Sequence, residues 1–135
     1  MRVLSATSRT GDLDELLRAA DVVTLHVPLT PSTAGLISRE RLALMRDGAT
    51  LVNTARGAIV DMDALATELR SGRISAGPDV FVDEPHVPDD LRSLPNVVLT
   101  PHIASATVET RAAMTRIVVD NVLAFGRGDA LLTPV

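Results

Sequence analysis

The sequence predicts an α/β fold, a parallel sheet with helices packed against it. Two observations carry the prediction. Short runs rich in Val, Leu and Ile alternate along the chain with stretches whose apolar residues recur three and four positions apart, the pattern of strands alternating with helices. The connections are short and hold helix-end residues, with Asp12, Ser38 and Asp61 at the starts and Gly48 and Gly72 at the ends. At 135 residues the chain is long enough for one compact domain and too short for two of typical size. Its only aromatic residues are Phe81 and Phe125, so the core must be built from Leu, Val, Ile and Ala.

Residues 3–6 are a strand candidate, closed by the polar run Thr7-Ser8-Arg9-Thr10-Gly11. Asp12 can cap a helix with Glu15 in its first turn and an apolar face of Leu13, Leu16 and Leu17, reaching about Ala20. Residues 22–27 read as a strand ending at Pro28, and Leu29-Thr30-Pro31-Ser32 is turn chemistry leading into a short helical turn over 32–37. Ser38 caps the next helix, with Leu42 and Met45 inward and Gly48 closing it. Residues 49–52 are short and apolar, as expected for a strand buried on both faces of a parallel sheet. Asp61 caps a helix through Leu65 and Leu69, with Gly72 beyond its end. The strand candidate over 74–80 contains Gly77 and Pro78, and proline cannot donate a ladder hydrogen bond, so irregular pairing is expected there. A polar loop follows over 82–96, then a short strand over 97–99 ending at Pro101-His102. A long helix spans about 107–126, with Met114, Val118, Val122 and Phe125 recurring on one stripe.

The formal charge is −4 and lysine is absent, which gives no electrostatic footprint for nucleic acid. No apolar run approaches the roughly 20 residues that span a bilayer, and residues 1–10 lack the apolar core of a secretory signal. A soluble, cytoplasmic protein is therefore expected, with no membrane partner. Without cysteine there are no disulfides or thiolate metal ligands, and no metal site is expected.

Parallel strands put their carboxyl ends on one edge, where ligands of open α/β sheets bind. Polar groups stand at successive strand ends here: His26 to Pro28, Asn53 to Gly57, Asp79 to Glu84 and His102 to Ser105. The reading is Rossmann-like. Arg56 lies just past the central strand, where a planar guanidinium can hold a carboxylate by two parallel hydrogen bonds.

At these residues the sequence resembles the D-isomer-specific 2-hydroxyacid dehydrogenases, the family of phosphoglycerate, glyoxylate/hydroxypyruvate and D-lactate dehydrogenases. The matching pieces are A-D-V-V-T-L-H-V-P-L-T-P-S-T at 20–33, L-V-N-T-A-R-G-A-I-V-D at 51–61, D-V-F-V-D-E-P at 79–85 and N-V-V-L-T-P-H-I-A-S-A-T at 96–107, in the family's order. The resemblance implies an NAD(P)-dependent oxidoreductase acting on a small 2-oxo or 2-hydroxy acid. It makes Arg56 the substrate-binding arginine, Glu84 the acid partner and His102 the proton donor. A histidine titrates near neutrality and suits protonation of a carbonyl oxygen, and a neighbouring glutamate favours its imidazolium form. The resemblance also sets Val27, Pro28, Thr54, Ala55, Arg56, Asp79, His102, Ala104 and Ser105 against the cofactor. It gives His26 a structural hydrogen-bonding role and His86 none.

The family's G-x-G-x-x-G turn and first strand would precede Val3 and are not in this sequence, so residues 1–135 are read as a partial nucleotide-binding domain, its long helix packing toward a separate substrate domain. A Rossmann-like module without catalysis is the alternative reading. Weak NAD(P)H binding and no turnover are expected of the isolated chain, whose open strand edges invite a second copy or the missing N-terminal half. Residues 75–78 look one position short of the family pattern, which would change the face to which Asp79 points. Ser8-Arg9-Thr10 stands where a carboxylate would select NAD, and it suits the 2′-phosphate of NADP.

Overall fold

The computed structural model describes residues 1–7 and 10–134, so the Ser8-Arg9 pair behind the NADP expectation lies outside the described residues. The single domain expected from length resolves into two compact units, Met1–His102 and Ile103–Val135. The second is essentially one helix and its tail, which cannot enclose a core of its own.

In the first unit, helix α1 (Leu13–Ala19) leads to strand β1 (Val22–Leu25), helix α2 (Arg39–Leu44) to β2 (Thr50–Asn53), and helix α3 (Met62–Arg70) to β3 (Ser75–Pro78). Each helix begins where a side chain accepts an otherwise unpaired first-turn N–H. Asp12 accepts from Asp14 and Glu15, Ser38 from Arg41, and Asp61 from Ala64. Gly72 follows the end of α3 with φ of 74°, a left-handed conformation that glycine adopts without strain, but the expectation that Gly48 closes α2 is corrected: the extended backbone of Met45 ends that helix, and Gly48, with φ of 79°, serves the turn into β2 in which Ala49 donates to Arg46 O. Arg73 then secures the end of α2, donating to the carbonyls of Leu42 and Met45 while its Nε holds Glu68.

The sheet is three-stranded and parallel, in the order β1-β2-β3, with Val23, Leu51 and Ala76 in register. Because strand order follows chain order, right-handed crossovers lay α2 and α3 on the same face, and α1 packs beside α2. Leu17, Leu42, Leu65 and Leu69 from the three helices accordingly pack in one cluster with Val23, Leu25, Leu51 and Ala76. Each buried leucine contributes about 2 kcal/mol relative to exposure. The expectation that 49–52 is buried on both faces is thereby corrected: β2 alternates between buried Leu51 and Asn53 and half-buried Thr50 and Val52, and Val22 on β1 is 62% exposed.

Pro78 does not disturb the pairing of β3 with β2, which is regular through Asn53 and Pro78. Ser75 donates to Ala49 O and Asp79 to Asn53 O, so odd-numbered residues face β2, and the missing N–H of Pro78 points to the other side. There the expected strand over 97–99 shrinks to a bridge between Ala76 and Val97. Ala76 donates to Asn96 O, and Val98 and Thr100 donate to Ala76 O and Pro78 O, but Pro78 has no N–H to return.

Three further expectations are revised. Residues 3–6 form no strand, since none of the described strands pairs with them, and Val3 is exposed. The helical turn expected over 32–37 runs over 31–35, with Thr33 and Ala34 N–H donating to Thr30 O and the Thr33 hydroxyl donating to Pro28 O, and Ile37 then bridges Val60. The polar loop holds a short helix, α4 (Asp89–Arg92), pinned by buried Leu91. In the second unit, α5 (Val108–Arg127) is capped by Thr107 and stopped by Gly128, but Met114, Val118, Val122 and Phe125 are all exposed, Phe125 at 79%.

Candidate active site

The site begins with the turn after β2. Asn53 ends the strand and is 4% exposed, with its amide folded onto the residues that follow. Nδ2 donates to Arg56 O at 2.9 Å and Oδ1 accepts from Ala55 N–H at 3.1 Å. Thr54 and Ala55 are partly covered, while Arg56 is exposed and its guanidinium donates to Ala55 O at 2.6 Å. Among the described residues it joins no ion pair. Gly57 then passes so close to the loop after β3 that a Cβ on it would stand 2.3 Å from the Phe81 carbonyl carbon and 2.6 Å from Val82 N. Glycine is required by that contact, which presses the Arg56 turn against the segment carrying Glu84.

Glu84 links this segment to His102. Its Oε1 accepts from Phe81 N–H at 2.9 Å, and its Oε2 lies 2.8 Å from His102 Nδ1. The His102 hydrogen bond, followed by the Phe81 N–H, holds the Glu84 carboxyl below the usual carboxylate range. An ionised carboxylate only accepts, so the proton between them sits on Nδ1 and Nε2 is the ring atom left facing outward. His102 is exposed and has φ of 54°, uncommon for a residue other than glycine but better tolerated by His, Asn and Asp. Its backbone N–H donates to Asp79 O at 2.8 Å, which fixes the turn.

Asp79 follows β3 with 2% exposure, and its Oδ1 accepts from Thr100 Oγ1. Val27 and Pro28 continue β1, Val27 partly covered and Pro28 exposed with its carbonyl accepting from Thr33 Oγ1. Register aligns Leu25, Asn53 and Pro78, so Val27, Thr54 and Asp79 leave neighbouring strands on one edge. His26 is exposed and pairs with Thr24 Oγ1 through Nε2 at 2.9 Å. His86 lines a depression of about 370 Å³ with Asp61, Met62 and Phe81, which Arg56, Glu84 and His102 do not line. Ala104 and Ser105, both exposed, belong to the second unit. Sequence reasoning placed Asn53 and Gly57 at the strand end without giving either a role, and gave Thr100 none. For Asn53 a signal existed: it is the polar residue at a buried position in the alternating Thr50-Leu51-Val52-Asn53 run.

Residues 3–104 match the family profile described as D-isomer specific 2-hydroxyacid dehydrogenase, NAD binding domain. A glyoxylate reductase of Pyrococcus furiosus is 52% identical over 118 residues, covering 87% of this chain and 35% of the relative. The chain thus spans about a third of the length of such relatives. A crystal structure of a Thermus thermophilus protein superposes with a TM-score of 0.85 at 52% identity, covering 91% of this chain and 40% of that one. An NADPH-dependent glyoxylate/hydroxypyruvate reductase from Sinorhizobium meliloti, in complex with NADP and malonate, superposes with a TM-score of 0.87 at 41% identity, covering 97% and 43%.

Proposed function

Since the chain belongs to the D-isomer-specific 2-hydroxyacid dehydrogenases through their NAD-binding domain, we propose that it carries the catalytic residues of an enzyme reducing small 2-oxo acids, with glyoxylate and hydroxypyruvate as substrates. The observation that carries this reading is the Glu84–His102 pair, which engages Nδ1 of an exposed histidine, on the edge where the Arg56 turn presents a guanidinium that joins no ion pair among the described residues.

Arg56 binds the substrate carboxylate and orients the adjacent carbonyl. His102 holds a proton at Nε2, within reach of the carbonyl oxygen, and gives it up as negative charge develops there. Glu84 stabilises the ring while it is charged and keeps the remaining proton on Nδ1, so transfer proceeds from one defined atom. Val27, Pro28, Thr54 and Ala55, small uncharged groups at the strand ends, together with the shielded Asp79, are the residues assigned to the nicotinamide in this reading. A nicotinamide dinucleotide, NAD or NADP, supplies the hydride when bound. The family identity and the S. meliloti reductase's NADP support the cofactor class. The helix α5, with its exposed apolar stripe, is proposed to pack toward a separate substrate domain.

The test is a chimera in which this chain replaces the matching segment of the P. furiosus relative. His102→Ala should lower kcat on glyoxylate by about a hundredfold or more with little change in KM. Arg56→Ala should both raise KM and lower kcat, because its contact exists in the ground state as well as the transition state. Retention of wild-type kcat by His102→Ala would remove the proton-donor role.

A further inference from the structure

Asn53 is committed in three directions at once. Its backbone carbonyl accepts the Asp79 N–H, tying β2 to the start of the loop after β3. Its side chain, almost wholly shielded, spends both functional ends on the turn that follows, the donor on Arg56 O and the acceptor on Ala55 N–H. A shielded amide lacking these partners would be strongly destabilising, so the two bonds fold the turn into one shape. On the far side of the arginine, Gly57 is wedged against the Phe81 and Val82 backbone. Arg56 therefore projects from a peptide segment clamped at both ends, by a side-chain amide before it and a backbone contact after it.

We propose that Asn53 is a positioning residue, fixing the Thr54–Arg56 turn so that the guanidinium meets a substrate carboxylate in one orientation. The inference rests on the reading of Arg56 as the carboxylate-binding residue. Two substitutions separate this role from generic support of the fold. Asn53→Ala removes both bonds. Asn53→Asp keeps the acceptor for Ala55 N–H, and its second oxygen behaves in two ways: ionised, it repels Arg56 O; protonated, it donates to Arg56 O as the amide does. A shielded carboxyl titrates upward from its usual range, which makes Asn53→Asp a version of the clamp that pH can open and close.

The experiment uses the 135-residue chain, with oxamate as the carboxylate probe. Oxamate affinity is read by NMR from the shifts of the Thr54 and Gly57 backbone amides, and backbone order by the heteronuclear NOE of the amides at positions 56 and 57. Asn53→Ala should bind oxamate about tenfold more weakly than wild type at every pH. Asn53→Asp should approach wild type at the acid end of a pH series and fall about tenfold behind it at the alkaline end, with the two amides losing order in parallel. In an Arg56→Ala background neither substitution should change the residual affinity. Equal ordering of the amides in all variants, or equal losses with and without Arg56, would overturn the proposal. A wild type that does not respond to oxamate would overturn the reading of Arg56 itself. That failure is separable, because amide order reports on Asn53 alone. If Asn53→Ala does not fold, Asn53→Asp at the acid end still does, and its pH dependence decides the question.

Discussion

Gly57→Ala tests the packing on which the site depends. The added Cβ would lie 2.3 Å from the Phe81 carbonyl carbon, 2.6 Å from its oxygen and 2.6 Å from Val82 N. Comfortable carbon contacts begin near about 3.5 Å, so the two loops must separate by more than about 1 Å. All three obstructing atoms are backbone, and no rotamer change can relieve them. The loops are also tethered, one by Asn53 on Arg56 O and Val60 N–H on Gly57 O, the other by Glu84 on Phe81 N–H. Overpacking of this kind costs about 3 kcal/mol. For a unit of this size that corresponds to a fall in Tm of about 14 °C. Circular dichroism melts measure it, with Gly77→Ala as the control, since a Cβ there meets only Val52 Cγ2 at 3.9 Å. A fall of less than about 3 °C in Gly57→Ala would refute the packing argument.

Gly126→Ala, inside α5 and with open space around it, should raise helicity at 222 nm and stabilise the helix by about 0.5 kcal/mol. Arg73→Met leaves the carbonyls at the end of α2 and the half-buried Glu68 without their donor, and should cost about 3 kcal/mol in urea denaturation at unchanged m-value. The Glu84 carboxyl is depressed first by His102 and then by Phe81 N–H. The stability it contributes is therefore present above the unfolded value of about 4.3 and is lost as pH falls through the depressed folded value. A ¹³C titration should show this, with His102→Ala moving the carboxyl back toward its ordinary range.

Much of the fold was legible because its signals are local. Asp12, Ser38 and Asp61 each accept a first-turn N–H of the helix they precede, and Gly72 occupies the left-handed position past the end of α3. The strand-end groups Arg56, Glu84 and His102 were legible through their motifs, and the structure brings Glu84 and His102 into contact. What sequence could not supply was direction. Whether Pro78 breaks a ladder depends on which neighbour its absent N–H would have faced. Whether Asn53 points to solvent or into the turn depends on the alternation set by a neighbouring strand. The exposed stripe of α5 carries a buried-helix pattern with no surface of the first unit's kind in its own unit to cover it, and periodicity alone does not identify the partner. The helix α4 escaped notice because four residues hold too little periodicity, and Leu91 is fixed by tertiary burial.

The proline in β3 also gives the site an uneven foundation. Arg56 departs from a strand laddered on both sides, whereas the segment that delivers His102 hangs from β3 largely by bonds that β3 only accepts, through Ala76, Pro78 and Asp79. Stiffness therefore differs between the turn that carries Arg56 and the arm that carries His102. Under the proposed reaction, a change in substrate bulk would leave the carboxylate end at a fixed height on the sheet and be taken up by the histidine arm.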